Sequence, residues 1–362
     1  MKLDVAQRWW MRAALVVPIF VAAGVLLWWR GPDWGTVGDA FTVVAWWWVV
    51  AAILLNLFSV ICRSLAWNTV IKQAMPPPRP SFPLVFSAFC VGLFANVVLP
   101  ARAGELARVA VLSRRLPRRE GVWATLVGTV FAHRVFDLIP SLLLIAYVFA
   151  TAKIPDWAVT SLVIVASIGG VLFAVALFSA RRHQRSVLEE AGPVKRLLTM
   201  ARYGLGVMHE PAAAAVAILF QCLAWLCQLF AVYVAMRAFD IHAPLPAAGL
   251  VLVLMNVATI FPLWPGNFGL VQAAVALPLR QYGISYAQGF AFGIGLQAIE
   301  ASVGVGVGLI FLAREGLSIA MLKVMPDASQ ADAPADEPPP AEPAAEPEAE
   351  VDVERPRARV SG

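Results

Sequence analysis

An all-α, polytopic integral membrane fold is predicted by three observations. Apolar runs of membrane-crossing length recur along the 362-residue chain. The chain is 60% hydrophobic and only 14% charged, whereas soluble domains carry about 25% charged residues. Lys and Arg crowd into a few of the loops between the runs. Together these exclude a water-soluble enzyme, and the low charge excludes disorder for most of the length.

The first run, 13–29, follows Lys2, Arg8 and Arg12 and ends in Trp28-Trp29-Arg30. No small-residue cleavage site follows, so it reads as an uncleaved helix, with Trp9-Trp10 and Trp28-Trp29 as an aromatic belt. Further runs are 42–62, 82–99, 121–150, 158–178, 212–236, 247–262, 268–279 and 286–313. A helix needs about 20 apolar residues to cross, so the shorter ones require another explanation.

Loop charge supplies it. The N-terminus, the 63–81 loop (Arg63, Lys72, Arg79), the 101–120 loop with six arginines, and the 179–211 loop with six Lys and Arg are basic. The 30–41, 151–157 and 237–285 stretches are poor in Lys and Arg. Positive charge marks the cytoplasmic side. Segment 82–99 lies between two basic loops and cannot cross once, so it reads as part of a re-entrant hairpin from the cytoplasm. Residues 247–280 read as a second hairpin from the opposite face.

The hairpins resemble one another: Pro100 and Gly104 in the first match Pro262 and Gly266 in the second, as Pro-x-x-x-Gly. Each precedes a long helix with a central acid, Asp137 or Glu300. The expected architecture is therefore an inverted repeat of two crossings, a re-entrant hairpin and one crossing per half. Its parts are a cytoplasmic N-terminus at 1–12, a first membrane repeat at 13–150, a second at 151–325, and an acidic Ala/Pro/Glu tail at 326–362. The tail has no apolar periodicity and reads as disordered and cytoplasmic. Inverted repeats place a polar site at mid-membrane between broken helices, because backbone freed by Pro and Gly must face protein or water.

Ionisable groups within apolar spans are costly and therefore informative, at about 2.5–3.5 kcal/mol for a central charge. His133, Arg134 and Asp137 share one helix face by i, i+3 and i, i+4 spacing. They read either as a structural ion pair or as an anion site or proton-linked gate; Pro140 follows as a candidate kink. The first hairpin holds Asn96, Arg102, Glu105 and Arg108, where a guanidinium can grip a lipid phosphate, aided by helix amides beginning near Gly104. The second is nearly uncharged, offering Trp264, Asn267 and Gln272, with Pro265 and Gly269 shaping its backbone. Glu300, among small residues, reads equally as a functional or a structural acid. Cys62, Cys90, Cys222 and Cys227 lack metal-ligand spacing and read as buried small hydrophobes. No catalytic triad, metal cluster or phosphate loop is legible, so no cofactor is expected. The basic residues form no stripe interleaved with aromatics, and nucleic-acid binding is not expected.

Several runs taken together resemble a known family. Arg63-Ser-Leu-Ala-Trp67, Gly92-Leu-Phe-Ala-Asn96, Leu99-Pro100-Ala-Arg-Ala-Gly104-Glu105-Leu-Ala-Arg108 and His133-Arg134-Val-Phe-Asp137 look like the flippase-like transmembrane region of bacterial lysylphosphatidylglycerol synthases. Pro265-Gly-Asn-Phe-Gly-Leu-Val-Gln272, followed by Tyr282-Gly283-Ile, is similar to that family's second hairpin motif. The resemblance covers about residues 10–315. It implies two re-entrant elements around a cavity and movement of a lipid between leaflets. Glu105 and Arg108 match the polar pair after the first hairpin, and Arg134 and Asp137 the charged pair of the next helix. The chain departs from the pattern at Asn267, where glycine is usual, and at Gln272, where glutamate is usual. The second change argues against proton coupling at that position. With about 40 residues after the membrane part, no aminoacyl-transferase domain is expected.

The expected function is translocation of a phospholipid or polyprenyl-linked glycolipid across a bacterial cytoplasmic membrane, without covalent chemistry and with both termini cytoplasmic. Membrane lipids are the expected partners. One alternative is a membrane subunit presenting lipid to a separate cytoplasmic glycosyl- or aminoacyl-transferase. Another is an intramembrane enzyme using Glu105, His133 and Asp137.

Overall fold

The computed structural model describes Trp29 and residues 31–98, 104–117, 121–181, 210–260 and 267–315. Among these residues the fold is all-helical, with no strand. The predicted crossing 13–29 (Trp29 apart), the tail, and the site positions Pro100, Arg102, Pro262, Trp264, Pro265 and Gly266 lie outside the described residues.

The helices are α1 Trp34–Thr42, α2 Trp46–Ala74, α3 Phe82–Val98, α4 Gly104–Arg115, α5 Val122–Thr151, α6 Asp156–Arg181, α7 Pro211–Ala238, α8 Leu245–Ile260, α9 Leu270–Leu279 and α10 Tyr286–Arg314, with a 3₁₀ turn at Arg280–Tyr282 before α10. Five of them, α2, α5, α6, α7 and α10, are long and apolar enough to cross a membrane. At about 1.5 Å per residue, the 17 residues of α3 and 16 of α8 fall short of a bilayer core about 30 Å thick. Hydroxyls inside the long helices bond back to carbonyls three or four residues earlier, as Ser64 does to Ile61 at 2.7 Å and Thr69 to Leu65 at 3.0 Å. In lipid this satisfies groups that water cannot reach.

Two expectations are corrected. The 30–41 stretch, read as a loop, contains α1, which packs on α10. Asp33 caps it, Oδ1 accepting from Gly35 N at 2.9 Å and Oδ2 from the Thr36 hydroxyl at 3.1 Å. These bonds hold the Asp33 carboxyl below its ordinary range. The second correction matters more. Segment 42–62 does not stop before Arg63, because α2 continues to Ala74. Arg63 is therefore an interior helical residue, not a loop charge. A drop in hydropathy marked a boundary that the fold removes by giving the guanidinium partners on other helices. The 101–120 stretch likewise contains α4, which begins at Gly104 as anticipated.

Of four apolar clusters among the described residues, two large cores hold most of the bundle. One gathers Met236, Leu250, Leu252, Leu279 and Phe292. The other gathers Trp67, Ile71, Phe89, Leu112 and Leu126. The element contacts are paired: α2 packs on α7, α3 on both α4 and α10, and α8 on both α9 and α5.

Helix ends gather at two places. At one, Arg115 of α4 reaches Glu315 after α10 at 3.1 Å, and the Ser87 hydroxyl donates to Glu315 at 2.7 Å. A cavity of about 100 Å³ there, lined by Met75, Pro76, Leu116, Pro117 and Val122 among others, joins the ends of α2 and α4 to the start of α5. At the other, Ala45 N donates to Ala238 O at 3.0 Å and Lys153 N to the Tyr282 hydroxyl at 2.8 Å. The start of α3 and the end of α4 thus lie near the first gathering, and the end of α9 near the second. Much of α6 is a bare apolar surface, with Ile164, Ile168, Val171 and Leu172 each more than half exposed, as a lipid-facing helix requires.

Candidate functional site

The first hairpin is closed by small residues. A Cβ on Gly92 would stand 2.9 Å from the Gly104 carbonyl, and one on Gly104 would run into the Gly92 carbonyl and the Asn96 amide. With both absent, α3 and α4 touch backbone to backbone, and Asn96 Oδ1 accepts from Gly104 N at 3.0 Å. That bond satisfies one of the orphan amides at the start of α4. Close approach also fixes where α4 delivers Glu105 and Arg108.

From these two residues a connected chain of charges runs across the bundle. Glu105 pairs with Arg108, one turn along α4, and with Arg134 of α5. Arg134 Nη1 lies 3.5 Å from Asp137 Oδ2, and Arg63 Nη1 lies 3.5 Å from Asp137 Oδ1. Arg63 Nη2 donates to Gln228 Oε1 at 2.6 Å, and Trp225 Nε1 donates to Asp137 Oδ1 at 2.7 Å. The network therefore joins α4, α5, α2 and α7, and it touches both apolar cores. Arg108 stacks over Trp67 at 4.5 Å and Phe89 at 5.4 Å, and Arg63 over Trp225 at 5.4 Å. Trp67 is itself anchored by donating to Thr129 Oγ1 at 3.1 Å.

Exposure separates the three guanidiniums. The side chain of Arg108 is 4% exposed and that of Arg63 15%, whereas Arg134 is 48% exposed. Arg134 stands 12 residues into the 30-residue α5. A guanidinium so placed in an apolar helix needs water or counter-charge around it, since hydrocarbon would not solvate it. His133, grouped with Arg134 and Asp137 by spacing, is buried edge-on to Phe89 at 6.0 Å and pairs with neither. Gln221 reaches its carbonyl at 3.4 Å.

The second hairpin is neutral. Asn267 Nδ2 donates to Ala258 O at 3.1 Å, tying the approach of α9 to the end of α8. Its φ is 46°, in the left-handed region where glycine is favoured and asparagine is better tolerated than most residues. This accounts for asparagine where the family pattern has glycine. Gly269, at φ 89°, precedes α9. Buried Gln272 accepts from Gly269 N and donates to Gln297 Oε1, each at 2.6 Å. Glu300 of α10 is half-buried and makes no hydrogen bond or ion pair among the described residues; Arg63 is the charge within its electrostatic reach.

The structure thus unites Glu105, Arg108, Arg134 and Asp137, leaves His133 and Glu300 beside them, and holds Asn96, Asn267 and Gln272 as hairpin closures. Sequence reasoning missed Arg63, Trp225 and Gln228. A signal existed for the last two: Gln221, Trp225 and Gln228 repeat at four and three residues, one helix face. Among the described residues no cluster of His, Cys, Asp and Glu could hold a metal ion. All four cysteines are free, with Cys62, Cys90 and Cys227 buried and Cys222 half-buried.

Comparison with known proteins bears on this geometry. Residues 14–308 match the family described as the lysylphosphatidylglycerol synthase TM region. The chain belongs to that family. The charged ladder and both hairpins lie within the matched span. A UPF0104 membrane protein of Pyrococcus horikoshii is 30% identical over 129 residues, which is 35% of this chain and 37% of that relative. The chain therefore aligns with little more than a third of that relative's length. No solved structure matches. Like the family description, the five apolar helices make this lysylphosphatidylglycerol synthase TM-region protein a multi-pass membrane protein.

Proposed function

We propose that the protein moves a lipid, a phospholipid or a polyprenyl-linked glycolipid, between the leaflets of a bacterial cytoplasmic membrane, with no covalent change to it. The observation that carries this reading is Arg134, half-exposed deep within α5 yet joined to a ladder of buried charge. A polar crevice at mid-span carries a headgroup, while the tails stay in the bilayer. The short pairs α3–α4 and α8–α9 are taken as re-entrant hairpins, and residues 13–150 and 151–325 as an inverted repeat. Three features support that repeat: α2, α3, α4 and α5 correspond in length and order to α7, α8, α9 and α10; the packing of α3 on α10 mirrors that of α8 on α5; and the helix ends of the two pairs gather apart. Arg114 and Arg115 at the end of α4 support a cytoplasmic position for that gathering by loop charge, and cytoplasmic termini are part of the same proposal.

Purified protein in liposomes, with a fluorescent lipid quenched from outside, tests the reading. Translocation above protein-free liposomes, lost in Arg134→Gln, is expected. A rate equal to protein-free liposomes across phospholipids and polyprenyl glycolipids would remove it.

A further inference from the structure

We propose that Glu105 occupies on Arg134 the position of a lipid phosphate, so that it is a built-in competitor deciding which headgroups bind and how strongly. The inference rests on the translocase reading and names the group that the site takes.

The count of charges comes first. The contacts Arg108–Glu105–Arg134–Asp137–Arg63 join three guanidiniums to two carboxylates. Glu300 does not complete the set, because it makes no ion pair among the described residues. Among the described residues these contacts therefore hold one carboxylate fewer than guanidiniums.

Mobility says where the third anion goes. Arg108 is clamped between Trp67 and Phe89, and Arg63 between Gln228 and the Trp225 ring. No aromatic ring lies over Arg134 among the described residues, and its side chain is 48% exposed. Of the three described guanidiniums it is the most exposed, and the group on its Nη2 edge is Glu105. A phosphodiester carries one negative charge and two unesterified oxygens, which match a guanidinium edge as a carboxylate does. When phosphate replaces Glu105, three neutral pairs remain: Arg108 with Glu105, Arg134 with phosphate, and Arg63 with Asp137. No carboxylate is left unpaired, which keeps the exchange affordable at low dielectric. The exchange also breaks the ion pair tying α4 to α5, so headgroup arrival loosens the first hairpin from its neighbouring helix. The chemistry required is a phosphodiester; sugar hydroxyls cannot displace Glu105.

The test measures binding to the full-length protein in maltoside micelles, which carry no phosphate, by native mass spectrometry. The probes are phosphatidylglycerol, monoglucosyl-diacylglycerol and the tail-less glycerophosphoglycerol. Wild type is expected to bind phosphatidylglycerol and not the glucolipid. Glu105→Gln should bind phosphatidylglycerol about tenfold tighter, the effect of releasing one charge-assisted competitor. The double variant Glu105→Gln/Arg108→Met should tighten equally, because it removes the competitor without baring the buried Arg108. Arg134→Gln should lose the binding. Equal binding of the glucolipid by wild type, or unchanged or weaker phosphatidylglycerol binding by both folded Glu105 variants, would overturn the proposal. Competition by glycerophosphoglycerol at the concentration of the lipid would assign the site to a soluble anion and overturn its lipid part. The same proteins in liposomes separate the two readings: selective binding without translocation sinks the translocase alone, and translocation indifferent to Glu105 sinks the competitor alone.

Discussion

The indole Nε1 of Trp225 donates to Asp137 Oδ1 at 2.7 Å, so a residue of α7 seats the central acid of α5. Trp225→Phe keeps an aromatic ring for Arg63 to stack on and removes the donor. It should cost about 1.5–3 kcal/mol, the range for a hydrogen bond to a charged group. Thermal unfolding in detergent checks this, and Trp225→Ala should cost more because the stacking goes too.

Asp137 serves two guanidiniums, so the outcome of a double substitution depends on which of them is removed with it. Asp137→Asn leaves the partly buried Arg63 without its counter-charge, whereas Arg63→Gln leaves Asp137 paired with Arg134; the pair together should recover stability relative to Asp137→Asn, with a coupling of about 0.5–3 kcal/mol. Arg134→Ala with Asp137→Ala should recover little, since Arg63 stays charged beside an empty position. A double-mutant cycle on unfolding midpoints distinguishes the two pairs.

Gly104→Ala should prevent the first hairpin from closing, because its methyl group would meet the Gly92 carbonyl and the Asn96 amide. Gly306 has open space where its Cβ would go, and Gly306→Ala should be silent. Yield of monodisperse protein on size-exclusion chromatography should fall sharply for the first and stay level for the second.

Gln272→Glu should fold, because a carboxylate oxygen can still accept from Gly269 N at the start of α9. Gln272→Leu loses both bonds and leaves a buried amide group unsatisfied, at about 1–3 kcal/mol. Comparing the melting temperatures of the two variants checks the difference.

Arg114, at the end of α4, and Arg280, after α9, are both exposed at the separate gatherings of helix ends. In a cysteine-free background, cysteine at Arg114 should react with an impermeant maleimide only from the cytoplasmic side, and cysteine at Arg280 only from outside. Reaction of both from one side would end the inverted-repeat proposal.

The sequence by itself determined the helical class, the approximate positions of the long helices α5, α6, α7 and α10, and those of the short apolar helices α3 and α8. Hydropathy over 20 residues is a local quantity, and Pro and Gly act on the backbone where they stand. It also supplied Arg134 and Asp137, because a charge in an apolar helix is conspicuous wherever it folds, and Glu105 and Arg108, because they follow an apolar segment with Pro100 and Gly104 at its end. Arg63 escaped for the same reason turned round: beside a fall in hydropathy its charge read as the end of a helix. Only the tertiary structure decided otherwise, by bringing Asp137 and Gln228 from two distant helices to its guanidinium. It also decided that His133 is buried edge-on to Phe89 and pairs with neither Arg134 nor Asp137, and that Arg134 is the most exposed of the three guanidiniums. Pairing and exposure depend on what the rest of the chain brings near, and spacing along one helix cannot encode that.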